Sequence, residues 1–477
     1  MRRSPIQTLD DYLLLNAFYL YRLDDPDEYE TNGMLNSNWG GQRWWYKLAQ
    51  VCRRWRHLIL ASPLRLDLHL LCTHGVPIAD MLAHSPPLPL TIYYDEDVHE
   101  TTEEDEEGIL LALGHSDRVH YICLYLPAPK LRKIIPTMDE EFPILERFYI
   151  QSLTEDDTNL VLPRTFQASH LRHLGMWTTA LPIGSPLLMT TVGLVTLRLV
   201  DIPPSTYFPP SFLLTRLSLM PQLEKLEIGF YSPLPNRDVE RQPLGTPIIT
   251  HITLPNLRMF LFNGVSAYLE GLLAQIRAPV LSELDIMLFS QLTFTLPRLL
   301  LFMGTFENLG FNTVKLVFRN NDAQLVAYQL GERKSYPFKL QIMCRHLDWQ
   351  VSSAAQILNT LQPILSGVEK LTLIHGKHYR SSEWHNEVDR TQWHQLLRPF
   401  SNLKTLYVQN ELVGKLARSL HTDDGDPPPE LLSLEKVGYS GGRVAQKALT
   451  PFIDERRVTG HPVKLTVVAS SEFFLLS

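Results

Sequence analysis

Two periodicities of apolar residues divide this chain. Near the start, Trp45, Leu48, Cys52, Trp55 and Ile59 recur at steps of 3, 4, 3 and 4. That spacing predicts one helix with these side chains along a single stripe. Arg53, Arg54 and Arg56 fall between them and point elsewhere. Ser62-Pro63 marks the helix end, because the residue before a proline avoids the α region. Upstream, Thr8-Leu9-Asp10-Asp11 has the form of a capping-box start. Leu13, Leu14, Ala17, Phe18 and Tyr21 then follow at helical spacing. Neither helix can bury its apolar face alone, so each needs the other or a partner.

Past the first hundred residues the pattern changes to apolar-x-x-apolar-x-apolar, often behind a Pro, Asn or Gly. It recurs at Leu145/Phe148/Ile150, Leu171/Leu174/Met176, Leu194/Leu197/Leu199, Leu223/Leu226/Ile228 and Leu257/Phe260/Phe262. It continues at Leu281/Leu284/Ile286, Val368/Leu371/Leu373, Leu403/Leu406/Val408 and Leu434/Val437/Tyr439. Residues 311–316 and 338–342 fit more loosely. The alternating half predicts a short strand whose inward residues face a core. Four spacers carry helical spacing, at 268–276, 357–365, 393–397 and 412–420. Strand, helix and return at this interval resemble a leucine-rich-repeat solenoid, with parallel strands on one side and helices on the other. Leu226, Ile228, Leu284, Ile286, Leu371, Leu373, Leu406 and Val408 are then core positions.

The Val51-Cys52-Arg53-x-Trp55 core resembles the last part of an F-box, the helical module that joins a protein to a cullin–RING ubiquitin ligase. The likeness is greatest to F-box proteins of mushroom-forming fungi, in which this helix runs through Ser-Pro into a leucine-rich strand. Here that strand falls at 64–71. The usual opening Leu-Pro is replaced by Thr8-Leu9, and the polar insertion at 24–41 is longer than the family's. The resemblance implies an α/β chain with an F-box-like helical module at 1–63, a connecting segment with an acidic loop at 64–108, and a leucine-rich-repeat-like solenoid with a parallel strand ladder at 109–477. It implies a substrate adaptor and not an enzyme. Leu9, Leu13, Phe18, Val51, Cys52, Trp55 and Leu58 would divide between internal packing and the surface for the ligase adaptor protein, with cullin behind it. The alternative is a protein-interaction scaffold whose N-terminal helices only cap the solenoid.

Composition adds limits. Charged residues make up 20% of the chain and the formal net charge is −7, with no basic run to offset it, which argues against nucleic acid. Cys52, Cys72, Cys123 and Cys344 form no Cys-x-x-Cys pair, so neither a disulfide framework nor zinc is expected. No cofactor is expected either. No apolar run reaches the ~18 residues of a membrane span, and a cytoplasmic or nuclear protein is the expectation. The acidic runs at 95–107 and 423–426 read as solvated loops, the first leading into a helix at 109–113. Gly438-Tyr439-Ser440-Gly441-Gly442 matches a nucleophile elbow, with Asp454 and His461 later in the chain. Too few residues follow Ser440 for a hydrolase fold, and one more repeat supplies the same strand, turn and helix. His375, His378, His385 and His394 are too irregularly spaced for a metal.

Between the inward residues of the strands lie Glu224, Lys225, Glu227, Arg258, Glu283, Asp285, Lys370, Lys404, Tyr407 and Lys436. Lys225, Arg258, Lys370, Lys404 and Tyr407 are the leading candidates to bind a protein target. The mixed signs suit a protein surface, because nucleic acid demands a consistently basic one.

Overall fold

The computed structural model describes residues 9–23, 44–66, 68–154, 160–182, 184–231, 251–305, 310–329, 338–376, 388–420 and 431–469. The chain is mixed α/β and divides into two compact units, Met1–Leu194 and Val195–Ser477.

The first unit begins with α1 (Asp11–Leu23), α2 (Trp44–Ala49), α3 (Arg53–Ala61) and α4 (Pro63–Leu66). Asp10 caps α1, its Oδ1 accepting the Leu13 amide at 2.7 Å; Thr8 lies outside the described residues. The single stripe expected at 45–59 is broken into α2 and α3. Cys52 is fully extended (φ −159°, ψ 167°) as the residue before α3, and it faces solvent. The break is held by Arg56, whose Nε donates to the Ala49 carbonyl at 3.0 Å, an acceptor the helix end leaves open. The strand expected at 64–71 is also corrected, since α4 takes its first part and only β1 (Leu70–Cys72) remains.

Parallel strands β1, β2 (Leu90–Asp95), β3 (Val119–Leu126), β4 (Arg147–Ser152) and β6 (His173–Trp177) pair in that order. Short β5 (Leu160–Val161) and β7 (Thr179–Ala180) pair beside them. The acidic run is a loop only over 96–102; its later half is the first turn of the helix Glu103–Leu113. Thr102 and Asp105 form its capping box, and four acids sit at the positive end of its dipole.

In the second unit, β8 (Thr196–Ile202), β9 (Lys225–Phe230), β11 (Met259–Gly264) and β13 (Glu283–Leu288) are again parallel neighbours. The short β10 (Ile252–Thr253) pairs with β12 (Ile276–Arg277). The next segments depart from a parallel ladder. β14 (Thr313–Phe318), β15 (Asp322–Tyr328) and β16 (Phe338–Met343) form an antiparallel meander, so the order across the sheet is β13-β16-β15-β14-β17. The tight turn after β14 explains it: the Arg319 amide donates to the Asp322 carbonyl at 2.8 Å and sends the chain straight back. Parallel order resumes with β17 (Lys370–His375), β18 (Thr405–Val408), β19 (Lys436–Tyr439) and β20 (Lys464–Val467).

Each strict sequence match supplies a strand that opens two residues after its first apolar position. The lead-ins share one geometry. The Glu224 carbonyl accepts both the Arg258 and Met259 amides, the Arg258 carbonyl those of Ser282 and Glu283, and the Glu369 carbonyl those of Lys404 and Thr405. The lead-in asparagines also bridge backward, Asn256 to the Pro221 carbonyl at 3.0 Å and Asn402 to the Ser366 carbonyl at 2.8 Å. Leu226, Ile228, Leu284, Ile286, Leu371, Leu373, Leu406 and Val408 are all buried. They face a helix layer that includes Ser266–Leu273, Leu347–Thr360, Arg390–Leu397 and Asn410–Leu420. Across that interface Phe318 meets Trp393, and Phe230 meets Tyr268 at 4.7 Å.

Candidate binding surfaces

The N-terminal helices present the first surface. Leu14, Leu15 and Phe18 turn one side of α1 inward, and Leu58 and Ile59 do the same for α3. Phe18 and Trp55 meet edge to face at 4.8 Å. Arg54 ties the two helices together, its guanidinium reaching Asp11 at 2.7 Å and the Leu9 carbonyl at 2.6 Å. Arg65 of α4 bonds Asn16 at 2.6 Å and covers the Tyr12 ring at 4.4 Å. Arg54 and Arg56, which the helical pattern leaves off the stripe, and Arg65 therefore fasten this module.

The other side of α1 is apolar too. Tyr12, Leu13, Tyr19, Leu20 and Tyr21 are exposed, Leu20 to 60%, although a helix of a closed domain keeps its outer side polar. Of the expected contact residues, Phe18 and Leu58 are internal, and Leu9 and Trp55 are half-buried at the edge. Leu13, Val51 and Cys52 are on the surface. The exposed Tyr12, Tyr19 and Leu20 were not singled out by sequence, although an all-apolar run over 12–15 signals that one face alone cannot hold them.

The second surface is the face of the strands opposite the helices. In the first unit it is aromatic. Tyr93, Tyr121 and Cys123 form a buried cluster there, with Leu71, Tyr125 and Tyr149 against it. Tyr149 and Trp177 lie 6.3 Å apart, and a side chain on Gly175 would meet their rings at 2.5 and 2.7 Å. Burial lifts the Tyr93 and Tyr121 hydroxyls well above their ordinary range. None of this face was read from sequence. The alternating Tyr121, Cys123 and Tyr125 of β3 carry the signal, but its inward residues are apolar as well and hide the period.

In the second unit the side of the strands opposite its own helices is charged. Arg198 of β8 bonds Glu227 of β9 at 2.6 Å, and Lys339 of β16 pairs with Asp285 of β13. Lys225 is half-buried beside them; burial and then the nearby Arg198 lower its pKa. Arg258 is exposed in the lead-in to β11. Lys370 and Tyr407 do come together, on adjacent β17 and β18, and Lys404 stands one row earlier, paired with Glu369 at 2.6 Å. Lys225 belongs to β9, six strand positions from β17, which is roughly 29 Å at ~4.8 Å per strand. The five expected target residues are thus two groups and not one site.

Ser440 is buried, and Asp454 pairs with Arg457 at 3.2 Å. His394 Nε2 lies 2.6 Å from the Ser419 carbonyl, while His378 and His385 are outside the described residues. Among the described residues no His, Cys, Asp and Glu group has the arrangement to hold a metal, and no helix is long and apolar enough to cross a membrane. The chain matches no family model and no curated protein.

Proposed function

We propose that this chain is a substrate-recognition subunit of a cullin–RING ubiquitin ligase acting in the cytoplasm or nucleus. In this reading the N-terminal module is an F-box, α1 and α3 bind the small ligase adaptor, and the strand ladder is a leucine-rich-repeat-like solenoid that captures a protein target. The single observation that supports it most is the exposed apolar side of α1, on a module already fastened internally by Arg54 and Arg65. An apolar helix side that no described residue covers is a docking surface for another chain. In this reading the chain contributes proximity: it holds target lysines near the charged enzyme and performs no side-chain chemistry. Copurification of the tagged full chain with cullin tests the reading. Recovery of cullin from wild type, and its loss on Leu20→Glu, is the expected result; a wild-type chain that never recovers cullin leaves the scaffold reading.

A further inference from the structure

We propose that the outer face of β14, β17, β18 and β19 binds an acidic protein segment in which carboxylates flank an apolar side chain. The inference rests on reading this face as the target surface, and it names the chemistry of the target. Lys370 and Lys436 both place their ammonium groups over the Tyr407 ring, 5.1 and 5.5 Å from its centre. Lys436 also donates to the Tyr407 hydroxyl at 3.4 Å. One ring therefore gathers two like charges that are partly withdrawn from water. An anion between them relieves their repulsion.

Lys315 adds a third cation. The register sets Lys315, Thr372, Tyr407 and Gly438 in one row across four strands. No carboxylate of the described residues pairs with Lys315, Lys370 or Lys436. Farther along the unit, Arg198–Glu227 and Lys339–Asp285 neutralise one another, so the uncompensated positive charge is local. Thr372 sits between Lys315 and Tyr407, and its hydroxyl is buried without a hydrogen bond. A buried donor left unmade is costly, and an oxyanion at this row would satisfy it.

Val317, Ile374 and Val468 form an apolar cluster on the same face, with Tyr407 packed against it. A small inorganic anion would leave that cluster unused. Nucleic acid would run on to the neutralised pairs Lys339–Asp285 and Arg198–Glu227, which offer its phosphates no net positive charge. A short segment with acids on either side of one apolar residue uses both parts.

Fluorescence anisotropy with a labelled Gly-Glu-Leu-Glu-Gly peptide and its Gly-Gln-Leu-Gln-Gly analogue tests this on the full chain. The acidic peptide should bind about tenfold more tightly than the analogue, with strong salt dependence. Lys370→Gln with Lys436→Gln should abolish the difference, the corresponding double arginine variant should keep it, and Arg298→Gln, at an exposed position of the helix Pro297–Met303, should leave it unchanged. Protection of Lys370 and Lys436 from amine acylation by the peptide, read by mass spectrometry on the wild type, gives the same answer if the glutamine variant fails to fold. Equal affinity for both peptides overturns the proposal, as does unprotected acylation or full displacement by equimolar inorganic phosphate. Cullin copurification by the same variants keeps the two readings apart: lost peptide binding with cullin retained leaves the ligase reading standing, and peptide binding without cullin leaves only the present one.

Discussion

The two units carry the same kind of core under different outer faces. Phe148, Ile150, Leu174 and Met176 in the first, and Leu226, Ile228, Phe260 and Phe262 in the second, are equally buried. Opposite the helices, the first unit shows Tyr93, Tyr121, Tyr149 and Trp177, and the second shows Arg198, Glu227, Asp285, Lys339 and Lys370. Core positions answer to the demands of packing, so they converge. Outer positions answer only to what meets them, so they diverge. An aromatic face contributes area and little direction, and a charged face selects partners by sign.

The comparison breaks first if the cores are not alike. Phe148→Ala and Phe260→Ala should each cost about 3–5 kcal/mol in denaturant unfolding, the usual loss for a buried aromatic. A cost under about 1 kcal/mol in one unit would mean the two cores differ.

Glycines under the outer rings sharpen it next. A methyl group at Gly175 or Gly438 meets a ring, Tyr149 and Trp177 in one case and Tyr407 in the other. Both alanine variants should lose about 1–3 kcal/mol from overpacking. Only Gly438→Ala should also change the acylation rates of Lys370 and Lys436, because it displaces the ring between them. A change at those lysines in Gly175→Ala would contradict the assignment of each ring to its own unit.

Salt separates the faces further. Lys339→Met should cost about 1 kcal/mol, since the pair with Asp285 is partly exposed and screened. That cost should shrink in about 1 M salt, where the Debye length is about 3 Å. Tyr121→Phe in the first unit should show no salt dependence.

The smallest effect is a pH dependence in the first unit. Burial raises the Asp105 pKa, but hydrogen bonds from the Thr102 and Gly75 amides and the Thr102 hydroxyl outweigh it and leave the group below its ordinary value. A carboxyl whose folded pKa is depressed stabilises above its unfolded pKa, about 3.9, and loses that contribution as pH falls through the folded value. Asp105→Asn should therefore cost about 1 kcal/mol at neutral pH, the usual net contribution of a hydrogen bond, and flatten the stability profile below about pH 4.

The strands were legible where one face is buried and the other wet. Leu223-Glu-Lys-Leu-Glu-Ile alternates cleanly, and β9 follows with Leu226 and Ile228 inside. β2 was not legible, since Leu90 to Tyr94 is buried without interruption and has no period to read. β15 was missed because the reversal at Arg319 and Asp322 depends on a backbone turn and not on apolar spacing. The break after α2 was hidden by a stripe that runs through Cys52 in sequence but not in space. Of the candidate surface, Lys370 and Tyr407 were found by alternation within a strand. Lys315 and Thr372 join them only through the order β14-β17-β18, which no single strand encodes.

Direct binding of the purified full chain to purified ligase adaptor, by isothermal titration, tests the central claim most closely. The expected result is a 1:1 complex that Leu20→Glu abolishes and that Trp55→Ala weakens about tenfold, in proportion to one interface anchor. Lys370→Gln with Lys436→Gln should leave it intact. No heat of binding with wild type, or equal binding by Leu20→Glu, would contradict the claim that the outer side of α1 is the adaptor surface.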